Sequence, residues 1–171
     1  PGGLFGEEGG GVRGDVGWHA DPLAGTANFL HGFPAVGVSV ALVEHGVPVV
    51  GVVHAPLLGI TYTAYSGGGA SSNGEQMAVS GRDAGRSICA TGFPFRAKAD
   101  RLDEYLPVFE AALRRFEDLR RAGSASLDLA WTAAGVFDGY FEQALEAPTR
   151  GRGPAAGPCS GCPATSSSCR P

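Results

Sequence analysis

The chain has 171 residues, of which 43% are hydrophobic and 18% are charged, and its mean hydropathy is near zero. This composition suits one sizeable core and argues against a membrane protein, because the longest apolar stretch, residues 33–43, is interrupted and is shorter than the roughly 20 residues of a spanning helix. The net charge of −4 becomes −7 without the three arginines of the acid-free segment 147–171, which argues against general nucleic-acid binding.

The first half of the chain predicts strands. Residues 36–42 alternate branched and small side chains, residues 47–54 are rich in valine, and His45–Gly46 between them predicts a hairpin turn. Residues 60–64 predict a third strand, and the Gly- and Ser-rich residues 66–74 predict a loop. Strands that follow one another so closely imply an antiparallel sheet.

The second half predicts strands and helices in alternation. Residues 88–92 and 136–142 are typical of short strands. Between them, apolar residues at helical spacing over 102–116 predict an amphipathic helix, with Asp100 near its N-cap.

A further helix is predicted over residues 124–134. Ser124 suits its N-cap, and Gly135 suits a left-handed residue just after its end. The order of elements therefore predicts layered helices and sheets, which is an α/β (α+β) fold class.

One turn carries most of the chemical information. Asp21–Pro22 is followed two residues later by Gly25–Thr26, where a helix can begin. A carboxylate beside the N–H groups of a helix start is suited to a metal ion that carries phosphate. The structural alternative is an ordinary Asp-Pro turn followed by a helix start with no ligand.

The residues Trp18–Pro34 resemble the signature of the inositol monophosphatase family of Mg²⁺-dependent, lithium-sensitive sugar phosphatases, W-x-x-D-P-x-D-G-T-x-N-F-x-H-G-F-P. They depart from it only at Ala24, where the signature has aspartate. Further matching segments follow in the same order as in the family, at residues 5–8, 51–56, 90–94, 121–130 and 138–142. The resemblance extends from about Leu4 to about Leu145.

The resemblance implies a layered αβαβα sandwich whose N-terminal helices and C-terminal part are missing from this sequence. Residues 1–146 are then a partial inositol monophosphatase-like domain. Residues 147–171, rich in Pro, Gly and Ser, are predicted to be a disordered low-complexity tail. The implied activity is that of a phosphoric monoester hydrolase, which converts an inositol phosphate or a related sugar or polyol phosphate to alcohol and phosphate.

The resemblance also implies a Mg²⁺ cofactor and its ligands. Glu7 corresponds to a metal-binding and catalytic glutamate, Asp21 to a bridging aspartate, and the Leu23 backbone carbonyl to a further ligand. Ala24 occupies the position of a lost aspartate ligand. For Glu7, which precedes a run of glycines, the alternative is a solvated loop acid.

Phosphate and substrate contacts are implied in the same way. Thr26 matches the residue that orients the attacking water, and the Gly25 and Thr26 amides match the phosphate-binding ones. Glu142 matches the residue that holds a substrate hydroxyl, with an exposed strand acid as the alternative. The sugar side of the pocket is assigned to Gly123, Ser124 and Ala125.

The departures from the signature predict impaired turnover. Besides Ala24, no aspartate follows Asp138 to supply the family's last metal ligand. The alternative is therefore a catalytically dead relative that acts as a binding or regulatory module. Partners are expected to be a small phosphomonoester and, through exposed apolar faces, a second copy in a homodimer, with no nucleic acid and no membrane.

The cysteines favour a reduced, cytoplasmic setting. Four cysteines without a balanced framework or a visible signal peptide do not suggest a secreted disulfide protein. Zinc binding by Cys159, Cys162 and Cys169 is disfavoured, because a second ligand pair is lacking.

Overall fold

The fold consists of a seven-stranded sheet followed by a three-stranded sheet. The computed structural model describes residues 3–6, 16–93 and 98–142. The strands of the large sheet lie in chain order and are β1 (Gly3–Gly6), β2 (Val16–Ala24), β3 (Gly37–Glu44), β4 (Val47–Ala55), β5 (Ile60–Tyr65), β6 (Gly69–Ser72) and β7 (Glu75–Gln76). β1 pairs with β2 in parallel, and the later pairs are antiparallel, as predicted.

The β3–β4 hairpin is formed where the sequence predicts it. Val40 pairs with Val52, and Leu42 pairs with Val50. His45 and Gly46 connect the strands with positive φ angles of 50° and 81°. Two consecutive residues in this conformation form a turn whose twist matches that of the strands it joins.

The prediction of a loop over residues 66–74 is wrong, because β6 lies within it. Asn73 and Gly74 have φ angles of 48° and 86° and connect β6 to β7. The Asn-Gly pair is itself a strong hairpin signal, which the Gly- and Ser-rich composition obscured. The Asn73 side chain also fixes the turn, since it accepts a hydrogen bond from the Thr61 N–H (2.8 Å) and donates one to the Gly59 carbonyl (3.2 Å).

The small sheet is parallel throughout and has the order β10-β8-β9. Its strands are β8 (Ile88–Thr91), β9 (Asp118–Arg120) and β10 (Gly139–Phe141). Antiparallel pairing is predicted only for strands that follow one another closely, and helices separate the strands of this sheet. Parallel neighbours need such a crossover connection. Helix α2 (Lys98–Arg115) connects β8 to β9, and helix α3 (Ala125–Ala133) connects β9 to β10. A short helix, α1 (Thr26–Leu30), precedes them in the chain.

Two elements differ from their predicted bounds. Helix α2 already begins at Lys98, so Asp100 lies within its first turn instead of capping it. The strand predicted from residue 136 begins only at Gly139, because the Val136 and Phe137 N–H groups donate to the Trp131 carbonyl and close the end of α3. Gly135 has the predicted left-handed conformation, with φ of 71°.

Helix α3 joins the two sheets. It packs on β3 and β4 of the large sheet and also contacts β10. Leu127 is completely buried and lies in a cluster with Ala35, Ala55, Tyr62 and Ala130. Most of these side chains are small, so the α3 backbone lies close to the large sheet. Among the described helices, none is long and apolar enough to cross a membrane.

Asp138 secures the start of the small sheet. Its side chain is 5% exposed and accepts hydrogen bonds from the Ser80 hydroxyl, from the Arg82 guanidinium at 3.0 and 3.1 Å, and from the Ile88 N–H at 2.7 Å. Burial acts to raise the pKa of Asp138, but these hydrogen bonds and the Arg82 charge hold it below its ordinary value of 3.8. The carboxylate is therefore a structural anchor.

We expect Asp138→Asn to lower the free energy of unfolding by about 2 kcal/mol at pH 7, because an amide cannot satisfy all of these donors. A lowered folded-state pKa stabilises the native state above the unfolded-state value of about 3.8. The difference from the parent protein should therefore shrink as the pH falls through the folded-state pKa. Urea unfolding at pH 7 and pH 3 measures both effects.

Asp83→Asn is the matched control, because the Asp83–Arg86 pair is exposed and its charged atoms are 3.5 Å apart. Exposed pairs of this kind contribute little. Equal losses for the two variants would contradict the anchoring role of Asp138.

Candidate functional site

The end of β2 forms a tight turn around Asp21. The register against β3 shifts between Asp21 and Ala24, so the strand carries a bulge there. The Asp21 carboxylate accepts a hydrogen bond from the Leu23 N–H at 3.0 Å. The Thr26 hydroxyl donates to the Leu23 carbonyl at 3.2 Å. One turn thus gathers the carboxylate, carbonyl and hydroxyl predicted for metal and water binding.

Gly25 is the N-cap of α1 and cannot readily be replaced. Its φ of 89° and ψ of 43° are left-handed, and a Cβ atom would lie 2.7 Å from the Ala35 carbonyl oxygen. Only glycine has free access to this conformation without a steric penalty. Because residue 25 must be glycine, no side chain at this position covers the backbone N–H groups of Gly25 and Thr26. The predicted phosphate site needs these groups to be accessible.

Asn28 ties this turn to a distant part of the chain. Its amide nitrogen donates to the Ala35 carbonyl at 2.7 Å and to the Ala122 carbonyl at 2.8 Å. Gly123 has φ of 83°, and a Cβ atom there would lie 3.2 Å from the Asn28 amide oxygen. Sequence reasoning assigned no role to Asn28, because nothing in the local pattern shows which carbonyls it reaches.

Ser124 makes the second link between the two segments. It is the N-cap residue of α3, as predicted, but its hydroxyl makes no capping bond and donates instead to the Ala24 carbonyl at 3.3 Å. Ala125 begins the helix. The predicted phosphate turn and the predicted sugar-side segment are therefore neighbours in the structure.

Glu142 lies where strands of the small sheet end together. It directly follows β10, and Gly92 directly follows β8, the parallel neighbour of β10. A Cβ atom on Gly92 would lie only 2.1 Å from the carboxyl carbon of Glu142, so the carboxyl group rests on the glycine backbone. The Tyr140 hydroxyl donates a hydrogen bond to Glu142. Carboxyl ends of parallel strands commonly form ligand sites.

Asp128 is a buried acid beside this group that sequence reasoning did not select. It is 1% exposed, and its Oδ1 atom has no hydrogen-bond partner among the described residues. Burial and, to a smaller extent, the Glu142 charge raise the pKa of Asp128 to about 7, while the Arg121 charge opposes the shift. Burial and the bond to Glu142 likewise raise the pKa of Tyr140.

The described residues contain part of the donor set that the sequence predicts for magnesium. Asp21 and the Leu23 carbonyl supply two oxygen donors, whereas Ala24 supplies no side-chain oxygen. Glu7 lies outside the described residues, and within the described ranges no three His, Cys, Asp or Glu side chains form a metal-binding group. Two oxygen donors fit a hydrated Mg²⁺ that shares its coordination with water and phosphate, but they do not make a protein-only cage.

Comparison with known proteins gives a consistent result. The sequence model of the inositol monophosphatase family matches residues 2–149. The chain is 43% identical over 149 residues to the Nus factor SuhB of Pseudomonas aeruginosa and 42% identical over 149 residues to the inositol-1-monophosphatase of Rhizobium meliloti. These alignments cover 83% and 85% of this chain but 55% and 56% of the relatives, so the chain spans about half the length of the curated relatives it matches.

Solved structures agree with the sequence matches. The extragenic suppressor protein suhB of Bartonella henselae is 36% identical with a TM-score of 0.80, covering 85% of this chain and 57% of that one. The inositol monophosphatase of Anabaena is 34% identical with a TM-score of 0.79, covering 84% of this chain and 58% of that one. The layered α/β architecture predicted from the sequence is thereby confirmed.

Proposed function

Because this chain belongs to the inositol monophosphatase family, we propose that its site is that of a Mg²⁺-dependent phosphomonoesterase. The substrate class is an inositol phosphate or a related sugar or polyol phosphate. The observation that carries the proposal is the contact between the Asp21–Thr26 turn and residues 122–124 through Asn28 and Ser124. This contact supports one pocket with a phosphate side and a sugar side.

Each residue then has a defined task. Asp21 and the Leu23 carbonyl, with Glu7 as the resemblance implies, would hold Mg²⁺. When bound, the ion would neutralise phosphate charge and lower the pKa of a bound water. The Thr26 hydroxyl would orient the attacking water.

The remaining residues would position the substrate. The Gly25 and Thr26 N–H groups would donate to phosphate oxygens. Glu142 would accept a hydrogen bond from a substrate hydroxyl. Gly123, Ser124 and Ala125 would line the sugar side of the pocket. Binding the polyol through Glu142 and the phosphate through the turn would orient the ester bond toward the water.

Turnover is expected to be low. Ala24 leaves Asp21 without the neighbouring carboxylate of the family signature, so the protein supplies less negative charge to the cation. Loss of one group that stabilises the transition state typically lowers turnover about 100-fold.

The test is hydrolysis of inositol monophosphate with and without Mg²⁺. We expect weak phosphate release that requires Mg²⁺, is abolished by chelation and falls below detection in Asp21→Asn, because that variant removes the described carboxylate ligand. Asp83→Asn, an exposed acid outside the site, should retain the parent activity. Hydrolysis that persists after chelation and in Asp21→Asn would contradict the proposal of a metal-dependent activity.

A second candidate is a binding or regulatory module without turnover. Two observations favour it: Ala24 itself, and the fact that several relatives at 43% identity are named Nus factor SuhB. Calorimetric Mg²⁺ titration distinguishes the candidates, since a module should fold cooperatively yet bind the ion weakly. Cytoplasmic location and a homodimer remain predictions.

A further inference from the structure

Asp128 is buried and Glu142 is half-buried, and the charge of Glu142 acts on Asp128. Arg121 is the one cation among the groups of the described residues that act on Asp128. Glu142 acts on Asp128 from the end of β10, and Arg121 acts on it from the segment after β9. The Asp128 charge in turn helps to raise the pKa of Tyr140. Arg121 also lies over the Phe93 ring, with its guanidinium carbon 5.4 Å from the ring centroid. Two ionised carboxylates in such a place would repel each other strongly.

The hydrogen bonds distinguish the two acids. Glu142 accepts a hydrogen bond from the Tyr140 hydroxyl, and its carboxyl group lies against the Gly92 backbone. Asp128 is almost fully buried, and its Oδ1 atom has no hydrogen-bond partner in the described part of the chain. A buried carboxylate with an oxygen that lacks a hydrogen bond is less favourable than the neutral acid. The burial and the unpartnered oxygen therefore favour the neutral form of Asp128.

We propose that Asp128 is a positioning residue for Glu142. As a neutral acid, Asp128 leaves Glu142 in place to accept a hydrogen bond from a polyol hydroxyl. The inference rests on the proposed function, because it assigns the polyol to Glu142. When Asp128 ionises, repulsion between the two carboxylates disturbs Glu142, and polyol affinity falls. Polyol binding should therefore be strongest below neutral pH and should weaken above it.

The first measurement needs neither metal nor substrate. In the full chain, carbon NMR of the Asp128 carboxyl group should give an apparent pKa of about 7. In Glu142→Gln this value should fall, because the repelling charge is gone. A carboxyl group that titrates near 4 in the parent protein would overturn the proposal.

The second measurement is binding of unphosphorylated myo-inositol, followed by NMR shifts at pH 6 and pH 8. If only the neutral form of Asp128 is competent, affinity should fall about tenfold between these values. Asp128→Asn, a neutral isostere, should bind with the pH 6 affinity at both pH values. Asp103→Asn, which changes an exposed acid on α2, should keep the tenfold change.

The outcomes separate this inference from the proposed function. Binding that depends on Asp128 without any Mg²⁺-dependent hydrolysis would refute the phosphatase and leave the positioning role intact. Mg²⁺-dependent hydrolysis together with inositol binding that does not change with pH in the parent protein would support the phosphatase and refute the positioning role of Asp128. A purely structural Asp128 would lower the stability of its variants without altering the pH profile.

Discussion

Replacing Ala24 by aspartate is expected to raise Mg²⁺-dependent hydrolysis of inositol monophosphate about 100-fold. Residue 24 directly precedes Gly25 at the end of β2 and is 8% exposed. A carboxylate there would give the cation the second acid that the family signature has at this position. The measurement is initial-rate phosphate release at saturating Mg²⁺, with protein folding checked by circular dichroism.

Ala24→Asn is the matched control, because it adds nearly the same volume without the charge. It should leave the rate at the parent level. In Ala24→Asp, added Mg²⁺ should also raise the melting temperature more than it does in the parent, since a ligand that binds the native state stabilises it. If Ala24→Asp binds Mg²⁺ more tightly but turns over no faster, a group other than residue 24 limits the chemistry.

Asn28→Asp is expected to lower the free energy of unfolding by about 3 kcal/mol, because two partly buried carbonyls lose their donor. The new carboxylate would also face the Ala35 and Ala122 oxygens, which the amide nitrogen now contacts at 2.7 and 2.8 Å. Like partial charges at that distance repel. Urea unfolding measures the loss, and any hydrolytic activity should fall with it.

Asn73→Asp provides the comparison for Asn28→Asp. Asn73 also hydrogen-bonds to backbone groups, but it is exposed in a hairpin turn, and aspartate tolerates its left-handed conformation. Its substitution should cost well under 1 kcal/mol, as is usual for surface sites. Similar losses at both positions would mean that Asn28 does not hold the two segments together.

Local patterns predicted those parts of the fold that depend on neighbouring residues. The β3–β4 hairpin follows from alternation and from His45–Gly46, and the end of α3 follows from Gly135. β9 was missed, because three residues are too few for a periodic signal and its pairing partner β8 lies beyond the 18-residue helix α2. Parallel pairing across such a connection depends on tertiary packing and leaves no local signature.

The same distinction applies to the candidate site. The Asp21–Thr26 turn was predicted, since its residues are adjacent in sequence. The bonds from Asn28 to Ala122 and from Ser124 to Ala24 were not, because they join residues 94 and 100 positions apart. Asp128 was overlooked for a related reason. Its burial, and an oxygen without a hydrogen-bond partner in the described ranges, arise only when α3 packs between the sheets.

These long-range bonds also bear on the order in which the molecule folds. Closing a loop of about 100 residues carries an entropic cost that a local hairpin avoids, and distant contacts form slowly. We therefore expect the β3–β4 hairpin to form early. The contact between the Asp21–Thr26 turn and residues 122–124 should form late, after α3 has docked. On partial unfolding the turn should open before the large sheet does, so hydrogen exchange at Gly25 and Gly123 should be faster than at Val40 and Val52. The chemistry of the site would then be lost through brief local opening while most of the protein is still folded.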